Sequence, residues 1–314
     1  MARYYFLPQR LQKAVRLPQR LVWWVEYIVI GGLIELFKRL PIRLSMRFAA
    51  FVFGLFGPYT PRADKVRANL MVAFPQTPDT RLEELMRDSY RHLGVAIAEL
   101  ASLKQIWRER ERRIEFTLEP GAVMPTPDKR SVFVTAHLGA WQLTPLIGPH
   151  YGVTLPVIYA PEQNPLVDRK LGAMRRAFGG PLVSRDGGIR VLMRALDQGQ
   201  SIGLTADTRM DAGESLPFFD EPAMTNTAPA RLALRYDCDL VPVLAERLPG
   251  ARYRVKLFAP IRARADAADR QARVQDMTGQ LNRLFEQWIR DRPDQWLCLK
   301  RRWPKAVYKR LQAR

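Results

Sequence analysis

Cysteine and histidine are both scarce in this sequence. Two cysteines, Cys238 and Cys298, stand among 314 residues. They are too few for a disulfide scaffold and lack the spacing of metal ligands. Three histidines, His92, His137 and His150, argue against a histidine-rich metal centre. Acids are in deficit: 31 against 50 lysines and arginines leave a formal charge of +19. No internal repeat and no low-complexity linker interrupts the chain, which argues against a repeat architecture. Long apolar runs are rare as well. "LVWWVEYIVIGGLIELF" (Leu21 to Phe37) is about one span long but contains Glu26 and Glu35. "FAAFVFGLFGPY" (Phe48 to Tyr59) is too short to span a bilayer. No small-residue cleavage site follows the first run, so a cleaved signal peptide is not expected.

What is present begins with that charge. It implies an anionic partner: nucleic acid, membrane surface or acidic protein. Arg3, Arg10, Lys13, Arg16 and Arg20 precede the first acid, Glu26. At the other end "KRRWPKAVYKRLQAR" (Lys300 to Arg314) carries basic residues, Trp303 and Tyr308, and no acid. Cations beside aromatics suit a lipid headgroup interface. No recognised nucleic-acid motif accompanies them, so no nucleic-acid partner is expected. The Leu21–Phe37 run is read as part of a hairpin or amphipathic helix lying in the membrane interface, with a single span as the alternative. A buried pair of core helices is the plain reading of the same residues.

Apolar residues make up 47% of the chain, enough for a sizeable core. In "TRLEELMRDSYRHLGVAIAEL", Leu82, Met86, Tyr90, Leu93, Ile97 and Leu100 recur at helical spacing. Thr80 with Glu83 reads as a capping box, and His92 falls beside the stripe, on the helix surface. From residue 131 short β-rich runs alternate with helical ones. Strands are predicted at Ser131–Ala136, Val153–Tyr159, Ser201–Ala206, Leu240–Leu244 and Tyr253–Phe258. Helices are predicted at Leu166–Phe178, Ile189–Leu196, Pro229–Arg235 and Ala268–Ile289. That order predicts an α/β fold with a mostly parallel or mixed sheet flanked by helices.

"SVFVTAHLGAWQL" (Ser131 to Leu143) places His137 just past a strand, where open α/β sheets bind ligands. Residues five apart on a continuous helix point about 140° apart. His137 and Gln142 could therefore face each other only across a turn, which Gly139 makes easy.

This stretch resembles the His-x4-acid block of glycerolipid-type acyltransferases. The wider chain is similar to their lipid A late acyltransferase branch, which includes lauroyl and myristoyl transferases and the mycobacterial mannoside acyltransferases. "RANLMVAFPQTP", "NPLVDRKLGAMRRAFG", "LDQGQSIGLTAD", "LPFFDEPAMTNTAPARLALR" and "RPDQWLCLKRRW" resemble the further blocks of that branch, in order. The resemblance implies a glycerolipid acyltransferase-like fold. It divides the chain into a membrane-associated helical region over 1–60 and an acyltransferase domain over 61–314. It also implies transfer of a fatty acyl chain from acyl carrier protein or coenzyme A to a hydroxyl of an anionic lipid, such as a lipid A precursor, on the cytoplasmic face of a bacterial inner membrane. No cofactor and no metal are implied. His137 would be the base, with residue 142 as its partner. Arg175 and Asp207, inside the quoted blocks, and Arg185 and Arg209, just outside them, would bind substrate.

Two positions depart from the pattern. Gln142 stands where the branch has an acid, and in "VIYAPEQNP" Ala160 stands where it commonly has Arg after the Tyr. An amide can accept from an imidazole N–H but cannot offset its charge. The comparable swap in a serine protease triad costs about 10⁴ in rate. Three readings follow: another acid, Asp207 or Glu162, takes the place; the chain is an impaired or non-catalytic lipid-binding member; or Gln142 is an engineered stand-in for Glu. If the amide were the sole defect, Gln142→Glu would raise activity about 10²-fold.

Overall fold

The computed structural model describes residues 19–185 and 187–312. The basic lead Arg3, Arg10, Lys13 and Arg16, and Arg314 at the other end, lie outside the described residues.

Helix α1 (Gln19–Arg39) and helix α2 (Ile42–Phe56) are divided by Pro41, the N-cap of α2. Each is apolar on two faces. Ile34, Phe37 and Ala49 form a small core with Ala98 and Ala101. Outward, Trp24, Ile28 and Val29 on α1 and Phe51, Leu55 and Phe56 on α2 are exposed. Among the described residues no helix is long and apolar enough to cross a membrane, so the expected alternative of a single span is not met. Glu26 is buried and accepts from Asn164 Nδ2 at 3.1 Å, which ties α1 to the body rather than to lipid.

Helix α3 (Ala63–Ala73) leads to the long helix α4 (Asp79–Ala101). The apolar stripe of α4 is packed as expected, with Leu82, Met86, Tyr90 and Leu100 buried. Two expectations fail here. The capping box does not form: Pro78 is the N-cap, no side chain caps the helix, and Glu83 instead accepts from Arg67 Nε at 2.7 Å. Extended Pro78 starts the helix early and leaves Thr80 inside the first turn. His92 is buried rather than on the surface, because Trp141 and Arg247 close over that side of α4.

The sheet holds β1 (Ile114–Leu118), β2 (Ser131–Thr135), β3 (Val157–Tyr159), β4 (Leu182–Ser184), β5 (Ile202–Thr205), β8 (Asp239–Leu248) and β9 (Arg252–Leu257) in the order β1-β9-β8-β2-β5-β3-β4. Strands β6 (Glu214–Phe218) and β7 (Glu221–Thr225) form a separate antiparallel hairpin. Every pairing in the main sheet is parallel except β8 with β9. This is the mixed sheet expected from the alternation. Strand β2 is buried throughout. Its Val132 and Val134 enter one core and its Phe133 the other, as the two-residue period of a strand requires. Helices α5 (Pro165–Arg175), α6 (Gly188–Asp197), α7 (Ala228–Arg235) and α8 (Arg270–Asp291) fall near their expected places, and α9 (Lys305–Gln312) closes the described chain.

The sequence patterns missed β1, β4 and the β6–β7 hairpin. The first two are short edge strands. The hairpin turns on Phe219 and Asp220, both at positive φ without a glycine to announce it. Phe219 tolerates this because its ring is buried against Phe74 and Trp296. The basic C-terminal stretch is also not the aromatic interface it resembles. Trp303 and Tyr308 are buried, and Tyr308 Oη bonds Asn69 Oδ1 at 2.6 Å. Arg302 is buried too, donating to Met224 O and Thr225 Oγ1, and burial brings its pKa down to about 10.

Candidate active site

The register of β2 with β5 builds the site. Thr135 pairs with Thr205 in parallel, so two residues further on His137 and Asp207 emerge side by side at the carboxyl edge. His137 Nδ1 lies 2.7 Å from Asp207 Oδ1. Asp207 Oδ2 accepts from Trp296 Nε1 at 3.2 Å. Burial alone would raise the Asp207 carboxyl. The charge and hydrogen bonds of His137, with the Trp296 indole, outweigh it and hold the group below the usual aspartate value. An ionised carboxylate only accepts, so the proton between the two belongs to Nδ1. Nε2 of the neutral ring is then left with a free lone pair. A base backed by a buried carboxylate is the chemical content of this arrangement.

The turn after β2 fixes the imidazole. Leu297 N donates to His137 O at 2.9 Å, and Leu138 bridges Trp296. Gly139 has φ +58, and a Cβ there would lie 2.3 Å from Ala245 O. Ala140 N donates to that same oxygen at 2.7 Å. The following 3₁₀ turn (Trp141–Leu146) carries Trp141, whose ring centroid is 5.7 Å from that of His137.

Gln142 is not the partner of His137. Its Nε2 donates to Ala96 O on α4 at 2.9 Å. The expected pairing fails because residue 142 leaves the turn toward α4, whereas the Nδ1 edge of the imidazole faces β5. Asp207, placed among the substrate-binding residues by resemblance and named as an alternative acid, occupies that position instead. A sequence signal did exist: Thr-Ala-His at 135–137 and Thr-Ala-Asp at 205–207 end two strands in the same way.

With this geometry in view, the comparisons decide the family. Residues 10–305 match the bacterial lipid A biosynthesis acyltransferase family. The chain belongs to that family. Lipid A biosynthesis acyltransferase 2 of Shigella flexneri is 23% identical over 181 residues, 57% of this chain and 57% of that protein. A lipid A biosynthesis myristoyltransferase of Escherichia coli (strain K12) is 23% identical over 196 residues, 62% of this chain and 59% of that protein. The chain thus spans 57% and 59% of these two relatives. The crystal structure of the 1-acyl-sn-glycerophosphate (LPA) acyltransferase of Thermotoga maritima overlays with a TM-score of 0.37 at 13% identity, covering 80% of this chain and 97% of that one.

The basic residues expected to bind substrate are not among the hydrogen-bond partners of the His137–Asp207 pair. Arg175 ends α5 and lies over the Tyr159 ring at 5.4 Å, beside Ala160. Its Nη1 is buried without a hydrogen-bond partner, and burial lowers its pKa, opposed by Glu162, Asp168 and Tyr159. Arg185 is exposed just past β4, with its backbone N–H on Tyr159 O. Arg209 Nε is paired with Asp211 at 2.6 Å. Burial pushes the Cys238 thiol up to about 11 and the Cys298 thiol up to about 12, so neither is a poised nucleophile. Among the described residues no group of His, Cys, Asp and Glu could hold a metal ion.

Proposed function

We propose that this chain transfers a fatty acyl group from a thioester donor, on acyl carrier protein or coenzyme A, to a hydroxyl of an anionic lipid, with His137 as the base and Asp207 as its partner. The 2.7 Å bond between His137 Nδ1 and the buried Asp207 carboxylate carries the reading. Nε2 takes the proton of the acceptor hydroxyl as its oxygen attacks the thioester carbonyl carbon. Asp207 stabilises the imidazolium so formed by a charge-assisted hydrogen bond. The C–S bond breaks, and the imidazolium returns the proton to the departing sulfur. Products are an ester and a free thiol, and no covalent enzyme intermediate is needed.

Arg185 follows β4 at the carboxyl edge, Arg175 reaches over Tyr159, the last residue of β3, and both suit the negative charge of the acceptor. The outward apolar residues of α1 and α2, with Arg20, Lys38, Arg39, Arg43 and Arg47 among them, suit a position in the interface of an anionic membrane. The cytoplasmic face of the bacterial inner membrane is the place where donor and acceptor of this chemistry meet.

Mass spectrometry of lipids from cells with and without the gene tests the reading. One added acyl chain on an anionic lipid is expected with the parent chain, and none with His137→Ala. Identical lipid profiles in all three strains would overturn it.

A further inference from the structure

A second histidine, His92, shares the neighbour Trp141 with His137 and has no part in the mechanism above. We propose that His92 is a neutral hydrogen-bond donor of this site, its Nε2–H taking the carbonyl oxygen of the acyl thioester as that oxygen gains negative charge. The inference rests on the proposed transfer reaction and adds to it a residue that contacts the reacting group.

The tautomer follows from the partners. His92 Nδ1 lies 2.6 Å from Arg247 Nη1. A guanidinium donates and cannot accept, so Nδ1 accepts and the ring proton sits on Nε2. Arg247 cannot turn away. Its Nε and Nη2 hold the two oxygens of buried Glu99 at 2.6 Å each. Glu99 and Arg247 are therefore positioning residues for His92. Burial first, then the charges of Arg247 and His137, press the His92 pKa well below its ordinary value, so the ring stays neutral. A neutral imidazole with Nδ1 already engaged can donate through Nε2–H without giving up the proton, a pattern known in another enzyme where a carbonyl is polarised by a neutral histidine.

The donor is unspent. His92 Nε2 is buried and has no hydrogen-bond partner. Buried donors left unmade are rare, and each calls for an explanation. The position supplies one. The His92 and His137 rings are both neighbours of the same indole, tilted against it with centroids 5.4 Å and 5.7 Å from that of Trp141. Gln142, next to Trp141, is tied to Ala96, one turn along α4 from His92. The amide thus fixes the turn against the helix that carries the second imidazole. An N–H···π contact to Trp141 is the rival use of the proton, and it is weaker than a bond to an oxyanion.

Removing a single oxyanion donor costs about 10²–10³ in kcat in a well-studied protease. The test compares His92→Phe with His92→Gln in the full chain. His92→Phe is expected to lower kcat about 10²-fold with KM little changed, and His92→Gln, whose amide N–H can donate, to recover most of the loss. Equal losses in both variants, or no loss in His92→Phe, would overturn the proposal. A second measurement needs neither turnover nor a His92 variant. In ¹⁵N-histidine-labelled His137→Ala protein, the His92 Nε2–H resonance should shift when a non-transferable ketone analogue of lauroyl-coenzyme A binds, in which a methylene separates the sulfur from the carbonyl carbon. Binding without that shift would assign the proton to Trp141 and sink the proposal. If the transfer reaction itself fails, the parent shows no turnover, whereas failure of the His92 role leaves the parent active.

Discussion

The side-chain amide of Gln142 donates to the main-chain oxygen of Ala96 at 2.9 Å, joining the turn behind His137 to helix α4. A carboxylate cannot make this bond, because both its oxygens only accept. At the position where the resemblance leads one to expect an acid, the residue is a structural donor. The acid that pairs with the imidazole comes instead from the neighbouring strand, as Asp207.

Gln142→Glu is therefore expected to lower acyl transfer rather than raise it. The new carboxylate would face the Ala96 oxygen, lose the bond and repel the carbonyl. A melting curve should show a loss of about 1–3 kcal/mol, the usual cost of an unmade buried polar contact. A rise in the rate of product formation in Gln142→Glu would show that Asp207 does not serve the imidazole.

Asp207→Asn keeps the shape of the pair and removes its charge. By analogy with the same change in a serine protease triad, kcat should fall about 10⁴-fold. Glu162→Gln, offered by the sequence as an alternative acid, should retain most of the activity. Steady-state assays of the two variants with one acyl thioester separate these outcomes.

Stability should fall as the solution becomes acidic, and His92 should account for part of the slope. Its folded pKa is depressed, whereas in the unfolded chain it titrates near about 6.5. Above that pH both states hold it neutral. Below it the unfolded chain takes a proton that the folded chain refuses, so stability drops by about 1.4 kcal/mol per pH unit until the folded ring titrates. Denaturant midpoints between about pH 6.5 and 5 should fall more steeply for the parent than for His92→Gln. His150, also lowered by burial, acts with the same sign and cancels in that difference.

Membrane attachment is expected to depend on side chains that do nothing for the fold. Ile28 and Phe51 are each 65% exposed. Ile28→Asp with Phe51→Asp should leave the melting temperature close to that of the parent. Flotation with phosphatidylglycerol vesicles should show binding weakened at least about 10-fold, since each large apolar side chain buried in lipid contributes about 1.5–3 kcal/mol. Undiminished flotation would assign binding to another surface.

Patterns that repeat over a few residues were legible without coordinates. The stripe from Leu82 to Leu100, the buried run Ser131–Thr135, the alternation of strands and helices and the turn that Gly139 permits all follow from local spacing and backbone sterics. They were enough to put His137 at the carboxyl edge of a sheet. Its partner was not legible in this way. Asp207 is 70 residues distant, and only the parallel register of Thr135 with Thr205 sets the two side by side. The burial of His92 was decided by Arg247, 155 residues away on β8, whose guanidinium gives the ring a polar neighbour that no helical periodicity encodes. Trp303 and Tyr308 read as an interface because their neighbours in sequence are basic. They are buried because Asn69, on α3, meets the Tyr308 hydroxyl and the Phe218 carbonyl accepts from the Trp303 indole. Local sequence determines what each segment can form, whereas the charges and hydrogen-bond partners that give a buried polar side chain its task arrive from elsewhere in the fold.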